Sequence, residues 1–423
     1  MSVLAYTRQK LLCILMELER LGRGDFPHEH SRECLLSIEQ LFRDQLDRVE
    51  VIDTDTSPPV QQAVCLNANM LIFRYHSLLG FVLRSTNIRN SFEIFDPLLR
   101  ISKCLLGPNA RLVLSSEWSF SPFTFSQVFP ELPGFVFIGL PASESNNALI
   151  IPAAGHELGH TVWQLKGLQA KIERQLTTLV VHYCEKNWNE FQACFNNSPD
   201  KSLLTTDMLL ISQWTPALRR ALSQSEEVFC DFLGVRLFGE SFLHSFEYLI
   251  APNVGRSRDP YYPGIAKRAQ YMVRCAEAVG AHQPTDFAKR FSETPASLTR
   301  VEKFLLAASD SATEQIVQSL IETVIEVADN AGTPRFDAQT IERAFNDFKD
   351  VLPASDGHSL ADVVNAAWKA YLTEDFWSEK TVPNARKFEV ISELAFKSIE
   401  VLEYQTRVWD YQKRTMKKDV AEV

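Results

Sequence analysis

The chain has 423 residues, 45% of them hydrophobic, enough for a large core spread over roughly two or three domains. Its 43 basic and 53 acidic residues leave a net charge of −10, which argues against nucleic acid as a partner, because phosphate binding needs a basic surface. The most membrane-like stretch, residues 64–83, carries Asn67, Asn69, Arg74 and His76, so no membrane span is expected. Eight scattered cysteines without a Cys-x-x-Cys pair read as reduced core thiols of a cytoplasmic protein.

Residues 1–105 read as an N-terminal helical region of four helices. The first, residues 6–21, is amphipathic and stops at Gly22-Arg23-Gly24; the second covers residues 31–51; the third, residues 60–84, is the most apolar; the fourth covers residues 91–106. His28 and His30 stand two apart beside Pro27, so on a helix they point away from each other and read as a solvated helix start. From Ala110 the texture changes to alternation and β-branched or aromatic residues, predicting strands at 111–118, 120–125 and 135–140 and a small sheet lying against the helix that follows. The aromatics between Trp118 and Phe129 read as core.

That next helix carries His156-Glu157-Leu158-Gly159-His160. Residues four apart share a helix face, so the two imidazoles can aim at one point, as two ligands of a zinc ion must. Glu157 is left beside the metal to act on water. Gly155 and Gly159 each cost about 1 kcal/mol in a helix interior, which makes sense if something approaches the helix closely. The helix opened by Pro152 is expected to run to about Cys194, with a break at Gly167, followed by helices over 202–223 and 225–250. Two histidines do not hold zinc alone. Glu227 and Asp231, four apart in a segment buried by Val228, Phe229 and Phe232, are the best source of a third ligand and of a partner for the distal N–H of a zinc-bound histidine. Glu226 is the rival ligand, but four residues on it meets Cys230. A further helix starts at Ile265, and beyond Pro284 the chain is helical to its end, with turns at 330–337, 353–358 and 383–385. His182 and His244 read as packed histidines.

Together with Tyr262-Pro263-Gly264-Ile265-Ala266-Lys267-Arg268, these segments resemble the gluzincin metallopeptidases, most closely the group of CAAX prenyl proteases and HtpX-type proteases. In that group the last element reads His-Pro-x-x-x-x-Arg, and Tyr262 stands where the histidine would be. The resemblance spans roughly residues 110–275. It implies that His156, His160 and Glu227 bind zinc and that Glu157 is the general base. Arg268 is then a buried cation that supports the site or orders substrate, and residues 135–140 form an edge strand for extended peptides. Tyr262, or Tyr261 in its place, can donate to an oxyanion. This chain lacks the group's membrane helices.

The expected fold is therefore mostly α with one small β-sheet: an N-terminal helical region (1–105), a zincin-like catalytic core (106–290) and a C-terminal helical region (291–423). The expected activity is zinc-dependent hydrolysis of peptide or protein substrates. Two other classes stay open, a zinc hydrolase of a non-peptide amide and a helical scaffold whose metal site is structural.

Overall fold

The computed structural model describes residues 3–52, 55–87, 92–125, 129–195, 200–250, 258–293, 297–354, 358–378 and 380–421. Residue contacts divide the chain into two compact units, Met1–Lys103 with Gly107–Ser145, and Cys104–Leu106 with Asn146–Val423. The boundaries expected at 105 and 290 do not match this division. The strands group with the N-terminal helices, and the C-terminal helices group with the His-Glu-x-x-His helix.

The first unit holds α1 (Val3–Gly22), α2 (Glu29–Glu50), α3 (Pro58–Arg84), most of α4 (Phe95–Leu106), β1 (Arg111–Glu117) and β2 (Phe135–Pro141). Leu11, Leu15 and Leu18 form the buried stripe of α1, and α3 opens on Pro58 and Pro59, where a missing N–H is harmless. These helices share one core with Val113, Phe135 and Phe137 of the strands, which is why the sheet belongs to this unit. The strands pair in parallel, with Arg111 opposite Phe135 and Glu117 opposite Pro141.

The expected strand at 120–125 is reduced to one antiparallel bridge. Phe123 and Gly139 exchange both backbone hydrogen bonds, at 3.0 and 2.8 Å. That bridge occupies the outer side of β2 at Gly139, so the edge anticipated for extended peptides is closed there. The aromatic run also splits: Phe123, Phe125 and Phe129 pack edge-to-face around Phe81 and Phe137, whereas Trp118 is 73% exposed. His28 and His30 are half-buried, not a solvated helix start. His28 stacks on Phe95 with centroids 3.6 Å apart, and His30 Nδ1 accepts from the Leu112 N–H at 3.2 Å. Cys13 and Cys104 are exposed, the other six cysteines are buried, and none is paired.

The second unit is helical: α5 (Ala154–Leu165), α6 (Leu168–Lys186), α7 (Trp188–Phe195), α8 (Met208–Phe238), α9 (Glu240–Ile250), α10 (Ile265–Val279), α11 (Arg300–Asn330), α12 (Ala338–Lys349), α13 (Leu360–Leu372), α14 (Glu374–Ser378) and α15 (Asn384–Ala421). Helix α8 is its axis, packed by α5, α6, α10 and α11 and buried at every residue from Glu227 to Phe238. The break expected near Gln224 is absent because its polar side chains are satisfied within the core. Ser225 Oγ donates to the Ala221 carbonyl at 2.6 Å, and Gln224 Oε1 accepts from Thr313 at 2.9 Å. The helix ends instead at Gly239, whose φ of +61° suits glycine. His182 is exposed on α6, not packed, while His244 is buried against Trp368. No helix among the described residues is long and apolar enough to cross a membrane.

One contact tests this packing directly. A Cβ added at Gly234 would lie 2.3 Å from the ring of Phe242, which is itself 2% exposed and has no room to yield. Gly234→Ala is expected to lower stability by about 1–3 kcal/mol through overpacking. The check is the denaturant midpoint, which should fall at unchanged slope.

Candidate metal centre

Helix α5 crosses α8 backbone against backbone. A Cβ at Gly155 would meet the Phe238 ring at 3.0 Å and Gly234 Cα at 3.1 Å; at Gly159 it would meet Cys230 Cα at 2.7 Å. The two glycines form one row of α5, and the row beside it carries His156 and His160. Their rings stand 5.0 Å apart at 82°, directly opposite the carboxylates of α8.

Each imidazole uses its two nitrogens differently. His156 Nδ1 lies 2.9 Å from Asp231 Oδ1, and His160 Nδ1 lies 2.9 Å from Glu226 Oε1. The opposite nitrogens turn toward Glu227: His156 Nε2 is 3.4 Å from Oε2, and His160 Nε2 is 3.8 Å from Oε1. A tetrahedral ion held at about 2.0–2.2 Å by nitrogen and oxygen separates neighbouring ligand atoms by roughly 3.4 Å. Two Nε2 atoms and one carboxylate at these separations fit such an ion. The carboxylates on both Nδ1 atoms match the partners that orient metal-bound histidines.

Behind Asp231 stands Arg268 of α10, 8% exposed. Its Nε donates to Asp231 Oδ2 at 2.5 Å, and its Nη2 to Asp231 Oδ1 at 2.8 Å and Glu227 Oε2 at 3.5 Å. The guanidinium is flanked by the rings of Phe246 and Tyr262, with centroids at 5.1 and 5.4 Å. Tyr262 is held from the other side. Arg258 donates to its carbonyl at 3.0 and 3.2 Å while also binding the Asp310 carboxylate of α11. Tyr261 points its side chain outward, 52% exposed.

Glu157, Glu226, Glu227 and Asp231 thus bring four carboxylates to two imidazoles, and Arg268 is the guanidinium that answers them. Burial works against a charged His156, but Asp231 and Glu227 at its two nitrogens outweigh it and lift its pKa to about 10. Burial also opposes ionisation of Asp231 and Glu227. Arg268 and His156 nevertheless hold Asp231 below the usual carboxylate range, and His156 with Arg268 does the same for Glu227. The pocket calls for positive charge. Glu157 is the exception: buried at 7% exposure, with no hydrogen bond among the described residues, its carboxyl is pushed up by burial. Tyr262 is pushed up to about 12 by burial and by Glu227, so its hydroxyl keeps its proton.

Cys230 offers a competing donor, since one ligand-capable atom each from His156, His160 and Cys230 lie within 4.8 Å of one another. Its thiol is fully buried against the Gly159 position, and burial together with Glu227, Glu226 and Asp231 raises its pKa well above the ordinary value. A thiolate there would add an anion to a site already rich in them. Glu227, which faces both Nε2 atoms, is the better third donor.

His156, Glu157, His160, Glu227, Asp231 and Arg268 are thus brought together, with Tyr262 against Arg268. Glu226, expected only as the rival ligand, instead sits on His160 Nδ1. Its spacing to Cys230 was the wrong test, because its partner His160 lies on the crossing helix. No family model matches the chain, and comparison with curated proteins and with solved structures gives no match.

The crossing itself can be tested without a ligand. Gly159→Ala must separate α5 from the backbone of α8, and is expected to cost about 1–3 kcal/mol. Cys230→Gly should not restore the loss, because the nearest atom is the Cα of residue 230. Full rescue in the double variant would refute the backbone contact.

Proposed function

We propose that this chain is a zinc-dependent metallopeptidase. The observation that carries the reading is the approach of His156 Nε2 and His160 Nε2 to the two oxygens of Glu227, at 3.4 and 3.8 Å, with each Nδ1 bound to its own carboxylate. Two imidazoles and one carboxylate are a donor set suited to catalytic zinc, which leaves a fourth position open. When bound, the ion supplies Lewis-acid polarisation of a carbonyl and lowers the pKa of water toward about 7.

The protein groups would do the rest. Glu157, buried and without a competing hydrogen bond, takes the proton of the attacking water and returns it to the departing amine nitrogen. The hydroxyl goes to the carbonyl carbon, so one water is consumed per amide bond broken. Tyr262 donates to the oxygen on which charge develops, a role open to Tyr261 only if its side chain turns inward. Asp231 and Glu226 fix the tautomers of the two histidines, and Arg268 keeps Asp231 ionised. The resemblance of His156-Glu157-Leu158-Gly159-His160, Glu227-x-x-x-Asp231 and Pro263-x-x-x-x-Arg268 to gluzincins supports a zincin-like core and a peptide substrate.

The grouping of Cys230 with the two histidines favours a second reading. With Cys230 as a ligand in addition to Glu227, the fourth position closes and the chain becomes a scaffold around a structural metal.

Metal analysis separates the two. The purified protein is expected to hold about one zinc per chain. His156→Ala and His160→Ala should abolish stoichiometric binding, and Glu227→Gln should weaken it strongly. Asp231→Asn and Glu226→Gln should each weaken affinity by about 10- to 100-fold. Cys230→Ser should leave zinc content unchanged; loss of zinc in that variant would establish the scaffold reading.

Chemistry is tested at Glu157. Glu157→Gln is expected to keep its zinc and thermal stability while losing about 10²- to 10⁴-fold in hydrolysis of whichever peptide the wild type cuts from a broad library. Wild-type-like cleavage by the Gln variant would rule out the proposed base.

A further inference from the structure

A cleft of about 710 Å³ opens in the second unit between α9, the C-terminal end of α10, α12 and α13, and it shares no residue with the metal centre. Val279, Phe336, Ile341, Trp368 and Leu372 give it an apolar wall. Trp368 is fixed in place: its Nε1–H donates to the Leu149 carbonyl at 2.9 Å, and the His244 ring stacks on it with centroids 5.0 Å apart and planes 24° apart. A pre-formed cleft of this size, combining an aromatic and aliphatic wall with polar side chains, suits a small molecule.

Most of the polar groups in the cleft are already engaged. Lys369 Nζ binds the Glu342 carboxylate, and Arg335 binds Asp329 at 2.5 Å. The Asn365 amide donates to the carbonyls of Phe238 and Ala361 and accepts from the Ser241 N–H. Glu240, His244 and His282 have no side-chain hydrogen bond of ordinary length among the described residues; Glu240 Oε1 and His244 Nε2 stand 3.7 Å apart, an ion-pair distance longer than a hydrogen bond. His244 is 8% exposed, and the acid that faces it, Glu240, keeps 39% of its side chain open to the cleft and solvent. The His244 imidazole, opposed by partial burial and helped by the charges of His282 and Lys369, holds the Glu240 carboxyl below its usual range.

We propose that this cleft binds a small aryl-alkyl amine, its ammonium between Glu240 and His244 and its ring against Trp368 and Phe336. A carboxylate only accepts, so the group that completes Glu240 is a donor. An ammonium gives charge-assisted bonds to Glu240 and is attracted by the aromatic wall. An organic anion would meet Glu240 and Glu342, with Lys369 and Arg335 already engaged by Glu342 and Asp329.

The test is calorimetric titration of the full-length protein with tryptamine and 4-phenylbutylamine as probes and indole-3-acetate as an anion of similar size. At least one amine should bind saturably at one site per chain, about tenfold or more tighter than indole-3-acetate. Glu240→Gln should weaken that binding by about tenfold or more, the range for losing a hydrogen bond to a charged group. His244→Phe keeps the stack on Trp368 while removing both ring nitrogens, and it should weaken the same amine. Ile341→Trp, which fills the cleft, should abolish binding. Circular dichroism identifies any variant that has lost its fold, and the folded variants then decide the outcome. Absence of saturable binding by both amines, equal affinity for indole-3-acetate, or wild-type affinity in folded Glu240→Gln and His244→Phe would each overturn the proposal.

Discussion

Everything at the candidate centre depends on how closely two helices approach. Gly155 and Gly159 remove the side chains that would hold α5 away from α8, and the resulting contact reaches the α8 backbone at Cys230 and Gly234. At that separation an imidazole on one helix reaches a carboxylate on the other directly, at 2.9 Å, for both histidines. A crossing held apart by ordinary side chains, at 8–10 Å between axes, would place the same residues at a looser and less defined spacing.

The contact also concentrates charge where it is expensive. Asp231 is 1% exposed and Arg268 8% exposed, and buried ions are tolerated only when paired and hydrogen-bonded. The pairing runs inward in steps. Asp310 binds Arg258, Arg258 holds the Tyr262 carbonyl, the Tyr262 ring covers Arg268, and Arg268 binds Asp231 against His156. The cluster is therefore not a local property of α5 and α8. Its rigidity is drawn from α10 and α11 as well.

The sequence made helical content and the facing of His156 and His160 legible because both follow from a period of 3.6 residues. The Glu227–Asp231 pair was legible for the same reason. What periodicity cannot express is the relation between two helices, so Glu226 was set aside for its spacing to Cys230 when its partner is His160. The continuity of α8 through Gln224 and Ser225 was hidden similarly, since the acceptors and donors that satisfy them include Thr313, far along the chain. The sheet was placed by its position just before the metal-type helix, but its grouping follows the aromatic core it shares with α1–α3. His28 and His30 were judged as helix-face residues, and packing against Phe95 and β1 decided their environment instead.

The short helical turn Ala148–Ala153 that leads into α5 has a consequence for how the protein is made. Its backbone is held from far downstream. Trp368 Nε1 donates to the Leu149 carbonyl across 219 residues, and Ser392 Oγ accepts from the Ala148 N–H across 244. A nascent chain leaves the ribosome from its N-terminus, so α5 and its two histidines emerge long before the groups that anchor their approach. The histidine helix must wait for most of the second unit to be synthesised before its entry is secured. Assembly of the centre thereby follows synthesis of Trp368 and Ser392, long after emergence of the motif itself.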